Sequence, residues 1–173
     1  MKALILAAGI LLASAASIRA EDGGWVAYRA AQHGFAASFP SAPKVDAGRT
    51  SPQDPITVIK YGSADKTGRL FVVIVYEFST KVPPPDSAPQ DLEKTLQVYG
   101  SGSRTTARNQ HPAKIDGHPG IEAVMEDPSG NEYELVDITV AGRRMFVVVS
   151  SGRKGHETTP EAARFRDSFR LLE

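Results

Sequence analysis

No cysteine occurs in the 173 residues. That absence excludes disulfides, thiol nucleophiles, thiolate zinc sites, iron–sulfur ligation and covalent haem attachment together. It also leaves no lipobox, so a lipid-anchored form is not expected. A charge excess is missing too. Lys and Arg number 20 against 20 Asp and Glu, and from Glu21 onward 18 bases face 20 acids, a net charge of −2. Broad binding to nucleic acid or to an anionic membrane needs a basic excess, so neither is expected. Beyond the N-terminus the longest apolar run is the seven residues Leu70 to Tyr76, too short to span a bilayer. Internal repeats of the kind that build solenoids are absent.

What is present begins with Lys2, followed by an unbroken apolar and small-residue run from Ala3 to Ala13 and the small residues Ser14 to Ser17. This pattern predicts a secretory signal peptide over residues 1–20, cleaved after Ala20 or earlier, after Ala15 or Ala16. The protein is then expected in a periplasm or outside the cell, with no membrane segment in its mature form. After a 20-residue leader 153 residues remain, enough for one domain that buries roughly 70% of its unfolded surface. An exported chain without disulfides depends on packing alone for stability.

The mature chain reads as an N-terminal arm over residues 21–33, in which Trp25 and Tyr28 are expected to fold back over a core edge, and a single domain over residues 34–173. Phe35, Ala37 and Phe39 alternate with smaller residues before Pro40 and predict a short half-buried strand. Ser41 to Pro55, with three prolines, reads as a loop. Ile56 to Tyr61 reads as a strand, and Leu70 to Phe78 as one apolar on both faces, which belongs mid-sheet. Val82-Pro83-Pro84-Pro85 then stiffens the chain. A helix is expected next, capped by Ser87 with Pro89 and Gln90 behind it, carrying Leu92, Leu96 and Tyr99 on one stripe and stopping at Gly100. Ser101 to Pro112 reads as a polar stretch whose early part is a loop. Ile121 to Glu126 and Glu132 to Val140 predict strands around a turn at Asp127 to Asn131. Met145 to Val149 predicts a second central strand. Thr158 or Thr159 caps a last helix with Ala162, Phe165, Phe169 and Leu172 on one face. Short strand connections require antiparallel hairpins. The fold class is therefore α+β, a mainly antiparallel sheet flanked by helices.

On Gly34-Phe35 through Phe39-Pro40 with Pro43, on Ile115 to Glu122 with its Gly117-His118-Pro119-Gly120, and on Phe165, Ser168 and Phe169, the chain resembles the PsbP-like and DcrB-like sandwiches. The likeness runs from about Gly34 to Leu171. It implies an α/β/α sandwich and an accessory or partner-binding role, as in the extrinsic subunit of photosystem II. The group shares no common catalytic residues, so the resemblance assigns no site, and nothing here ties the chain to a photosystem.

Asp116, His118 and Glu122 are close enough in sequence to set a carboxylate beside an imidazole, the requirement of acid–base work or of a metal site. The same residues, Asp116-Gly117-His118-Pro119-Gly120, have the composition of a turn, and the turn is the preferred reading. His111 and His156 read as solvated. No Gly-x-Ser-x-Gly elbow occurs, and Gly100-Ser101-Gly102-Ser103 follows a helix instead of opening one, so it is no phosphate cradle. Asp127, Ser129 and Asn131 alternate like calcium ligands, yet the glycine falls at the fourth position and not the sixth. Seven acids and no base lie between Asp116 and Val140, while seven bases and four acids follow from Ala141. These stretches either neutralise one another or form a bipolar docking face, with Glu134 and Asp137 set against Arg143, Arg144 or the arginines of the last helix.

No catalytic, cofactor or metal residue is assigned. The sequence points to an exported, non-catalytic accessory domain with a protein partner in the cell envelope. The alternatives are a small-ligand or metal carrier, or a hydrolase using Asp116, His118 and Glu122.

Overall fold

The structure, a computed structural model, describes residues 17–49 and 56–172. Its strands are β1 (Ser17–Ala20), β2 (Val26–Ala30), β3 (Phe35–Phe39), β4 (Lys44–Arg49), β5 (Ile56–Ala64), β6 (Leu70–Phe78), β7 (Thr106–Ile115), β8 (His118–Glu126), β9 (Glu132–Ala141), β10 (Arg144–Arg153) and β11 (Arg170–Leu171). The helices are α1 (Pro89–Ser103) and α2 (Pro160–Ser168). A seven-stranded sheet has the order β4-β5-β6-β10-β9-β8-β7, and a four-stranded one the order β1-β2-β3-β11. Every pairing in both is antiparallel.

The two strands that carry the long apolar runs, β6 and β10, lie side by side in the middle of the larger sheet. Alternation along them divides the core, because successive side chains point to opposite faces. Phe71, Val73, Val75, Phe146 and Val148 face the small sheet and α2, where Trp25, Phe35, Phe39, Phe165 and Phe169 meet them. Met145, Val147, Val149, Val72 and Ile74 face the other way, under Leu92 and Leu96 of α1. Both faces of the central strands are thus covered, α1 on one side and the small sheet with α2 on the other.

Several local expectations need correction. Part of the stretch read as a loop, Ser41 to Pro55, is the edge strand β4, and residues 50–55 lie outside the described residues. The polar stretch after Gly100 is not a loop: α1 continues to Ser103, and β7 begins at Thr106. Gly100 does not stop α1, because its missing side chain is a packing requirement. A Cβ there would lie 2.8 Å from the Thr105 carbonyl oxygen and 2.9 Å from the Met125 methyl. Ser87 does not cap α1; the capping position is Ala88, with no side-chain hydrogen bond. Thr159 does cap α2, its hydroxyl accepting from the Ala162 amide at 3.3 Å. Residues 1–16 of the expected signal peptide lie outside the described residues, and its last four form β1, an exposed edge strand on β2.

The segment around Gly117 is a turn, as composition implies, but a shorter one. Ile115 pairs with His118, leaving Asp116 (φ 48°) and Gly117 (φ 85°) as a two-residue hairpin loop. His118, Pro119 and Gly120 already belong to β8. Gly120 is buried where β7 and β9 close in, and a Cβ on it would lie 2.6 Å from Ile115 Cγ1 and 2.7 Å from the Ile138 carbonyl oxygen. Backbone cannot give way as a flexible side chain can. Gly120→Ala is therefore expected to destabilise the fold by about 1–3 kcal/mol, read as a lower denaturation midpoint with an unchanged m value.

Candidate functional site

Asp116, His118 and Glu122 do not converge. The Asp116 carboxylate accepts a hydrogen bond from the Leu171 amide at 2.7 Å, which ties β11 to the β7–β8 turn. The His118 ring is exposed, with Nδ1 3.3 Å from the Asp116 carbonyl oxygen. Glu122 lies four residues along an extended strand from His118, roughly 13 Å away at the usual rise per residue. Closeness in sequence was misleading because a strand separates neighbours as fast as a chain can.

Strand register gathers a different set. His111, Glu122, Asp137 and Val148 occupy one cross-strand row on the face toward α2. Arg166 of α2 donates to Glu122 Oε2 at 3.3 Å, and His111 Nε2 lies 3.4 Å from the same oxygen. Beside them Asp137 is only 4% exposed and has no hydrogen-bond partner among the described residues. Burial, reinforced by the Glu122 charge, pushes its pKa from 3.8 up to about 7, with Arg166 pulling the other way. Of the expected charge pairings, Asp137 forms none among the described residues: Arg166 is near enough to be felt as a charge but makes its ion pairs with Glu122 and Asp167. Glu134 points to the opposite face and accepts from the Tyr99 hydroxyl at 3.0 Å, with burial raising the pKa of both groups. Arg143 instead donates to the Phe78 and Val82 carbonyls, and Arg144 pairs with Glu77 at 2.9 Å.

The acidic stretch is answered locally. Arg108 pairs with Glu126 at 2.9 Å and Arg166 with Glu122, while Arg170 comes within 3.8 Å of Asp116. Such exposed pairs each contribute little stability. Asp127 serves the β8–β9 turn: its carboxylate accepts from Ser129, Asn131 and Glu132, and the Ser129 hydroxyl bond foremost lowers its pKa to about 2. Ser129 and Asn131 act within this turn. Among the described residues no group of three or more His, Asp or Glu side chains is placed to hold a metal.

His156 departs furthest from expectation. It is 3% exposed, not solvated, and its ring packs edge-on against Phe71 at 6.0 Å between centroids. Among the described residues neither ring nitrogen has a hydrogen-bond partner. The residue forms part of the wall of a cleft of about 830 Å³ between the β5–β6 turn and the end of β10. The flanking Gly152 and Gly155 hint at close packing, but no periodicity in the sequence marks the histidine as interior.

Trp25 and Tyr28 are each 7% exposed, folded over the core. The Arg164 guanidinium lies 4.7 Å above the Trp25 ring, and Arg164 also pairs with Glu21 at 3.1 Å. These contacts fasten α2 to the chain entering β2. Among the described residues no helix is long and apolar enough to cross a membrane.

No protein-family model matches the sequence, and no curated protein does. Among solved structures, the chain is similar to the solution structure of cyanobacterial PsbP (CyanoP) from Synechocystis sp. PCC 6803. The TM-score is 0.54 at 11% identity, and the match covers 97% of this chain and 99% of that one. A likeness at that identity speaks for architecture alone, and the architecture of this chain is PsbP-like.

Proposed function

We propose that the protein is an exported accessory domain that binds a protein partner and carries out no chemistry of its own. Its layers are read as a PsbP-like α/β/α sandwich in which the small sheet shares a layer with α2. The observation that carries the reading is how the reactive side chains are used. Asp116 holds a backbone amide, Glu122 holds α2 through Arg166, and Asp127 closes a turn, so each expected acid serves the fold. The whole-length likeness to a PsbP structure supports an accessory role. Export rests on the N-terminal pattern of Lys2 and the apolar run behind it.

Expression of the tagged full chain in a bacterial host, followed by fractionation and intact mass, tests export. Recovery in the periplasm with the leader removed is expected. Cleavage after Ala15 or Ala16 retains β1, whereas cleavage after Ala20 removes it. Since all four β1 residues are exposed, either product is expected to fold with nearly equal stability. Cross-linking of the processed protein in its native compartment, with sites located by mass spectrometry, tests partner binding. One partner cross-linked repeatedly through one face is the expected result; cytoplasmic retention or scattered cross-links would refute the proposal.

A further inference from the structure

The cleft beside His156 has the chemistry of a ligand site. It opens where β6 starts and β10 runs on: Leu70 pairs with Ser151, while Gly152 and Arg153 extend past the end of β6 and pair only with β9. At its rim Arg153 and Lys154 are exposed and have no ion-pair partner among the described residues. Arg69 is already balanced by Asp65 at 2.7 Å and Glu161 at 3.0 Å. Burial acts to raise the Asp65 pKa, but hydrogen bonds from Thr67 and Arg69 prevail and hold it at about 2, so this balance persists at neutral pH. Glu132, the cross-strand neighbour of Arg153, opposes an anion here, and Glu157, Asp65 and Glu161 add negative charge near His156.

Deeper in, His156 is an uncommon case, since buried polar groups nearly always find hydrogen-bond partners. Burial, aided by Arg69, lowers its pKa, so at neutral pH the ring offers one N–H and one bare nitrogen. Gly152 lets the ring and the Arg69 stem pack directly against the strand: a Cβ there would lie 3.0 Å from the His156 ring and 3.1 Å from the Arg69 stem. Both ring nitrogens are covered, so a ligand that reaches them must shift the Arg69 side chain from its ion pairs with Asp65 and Glu161.

We propose that this cleft binds a small organic oxyanion, a carboxylate or a phosphate ester, seated between Arg153 and Lys154 with a second oxygen hydrogen-bonded to His156. The unpartnered imidazole sets the depth of the site, and the two free cations set its charge preference. The proposal rests on the cleft alone and stands or falls apart from partner binding.

The test is nuclear magnetic resonance on the processed protein, following the imidazole nitrogens and the amides of residues 152–155. Malate and glycerol phosphate are titrated separately, against sodium chloride at matched ionic strength. The expected result is a saturable millimolar shift at His156 with at least one of the two acids and none with chloride; which acid saturates distinguishes carboxylate from phosphate. The R153A/K154A variant, altered only at exposed side chains, is expected to keep its spectrum and to bind about tenfold more weakly. His156→Phe, if folded, is expected to lose binding as well. No saturable shift with either acid, or equal binding by R153A/K154A, would overturn the proposal.

Discussion

Asp137→Asn is expected to stabilise the protein at neutral and alkaline pH by up to about 4 kcal/mol, the value of roughly three pKa units. The sign follows from the direction of the shift. The folded-state pKa stands above the unfolded one, so folding disfavours the ionised form. The Asp137 contribution to stability therefore declines as pH rises from 3.8 through about 7 and is level beyond that. Because Asp137 has no hydrogen-bond partner to lose among the described residues, the amide removes the buried charge without stripping another group of its bond. Denaturant unfolding at a series of pH values checks this. The wild-type and variant curves are expected to coincide in acid and to separate steadily toward neutrality. Parallel curves would mean that Asp137 is solvated or otherwise compensated. Arg166→Ala is expected to act in the opposite direction, since it removes the cation that partly offsets Asp137 and also frees Glu122.

Phe35→Ala is expected to cost about 3–5 kcal/mol, a large share of the stability of a single domain. Phe35 is wholly buried, and its ring lies 4.9 Å from Tyr61, 6.1 Å from Phe169 and 6.5 Å from Phe146. It joins β3 of the small sheet to β5 and β10 of the large one and to the residue that ends α2. Truncation opens a cavity that none of these elements can collapse into, because each is fixed by its own hydrogen bonds. Calorimetry is expected to show a melting temperature lower by roughly 10 °C. A shift of only a degree or two would show that the two layers close around the gap.

The residues that made the fold legible in advance were those whose pattern has a single solution. Leu70 to Phe78 and Met145 to Val149 are apolar on both faces, and only a central place in a covered sheet suits such strands. Thr159-Pro160-Glu161 is a local capping signal and needs no tertiary information. What sequence did not reveal were the edge strands β4 and β7. With little or no buried face they lack alternation, and Pro112 inside β7 resembles a loop residue until the edge position is known. The extension of α1 was hidden in the same way, since Gly100 reads as a helix stop and only its contact with Met125 shows otherwise. The site followed this division. Asp116, His118 and Glu122 drew attention through proximity along the chain, whereas the row His111, Glu122 and Asp137 exists only through strand register. His156 became buried by packing against Phe71 of β6 and Gly152 of β10, which no local pattern encodes.

The outermost strand β7 has one more consequence. A border strand whose main-chain groups lie open invites a second molecule to add itself, the route by which β proteins form fibrils. Pro112 offers no amide for such pairing, and the exposed Lys114 sets a charge on the rim that a stacked copy would have to meet. The features that hid this strand from sequence reading are thus the ones expected to disfavour stacking of copies along β7.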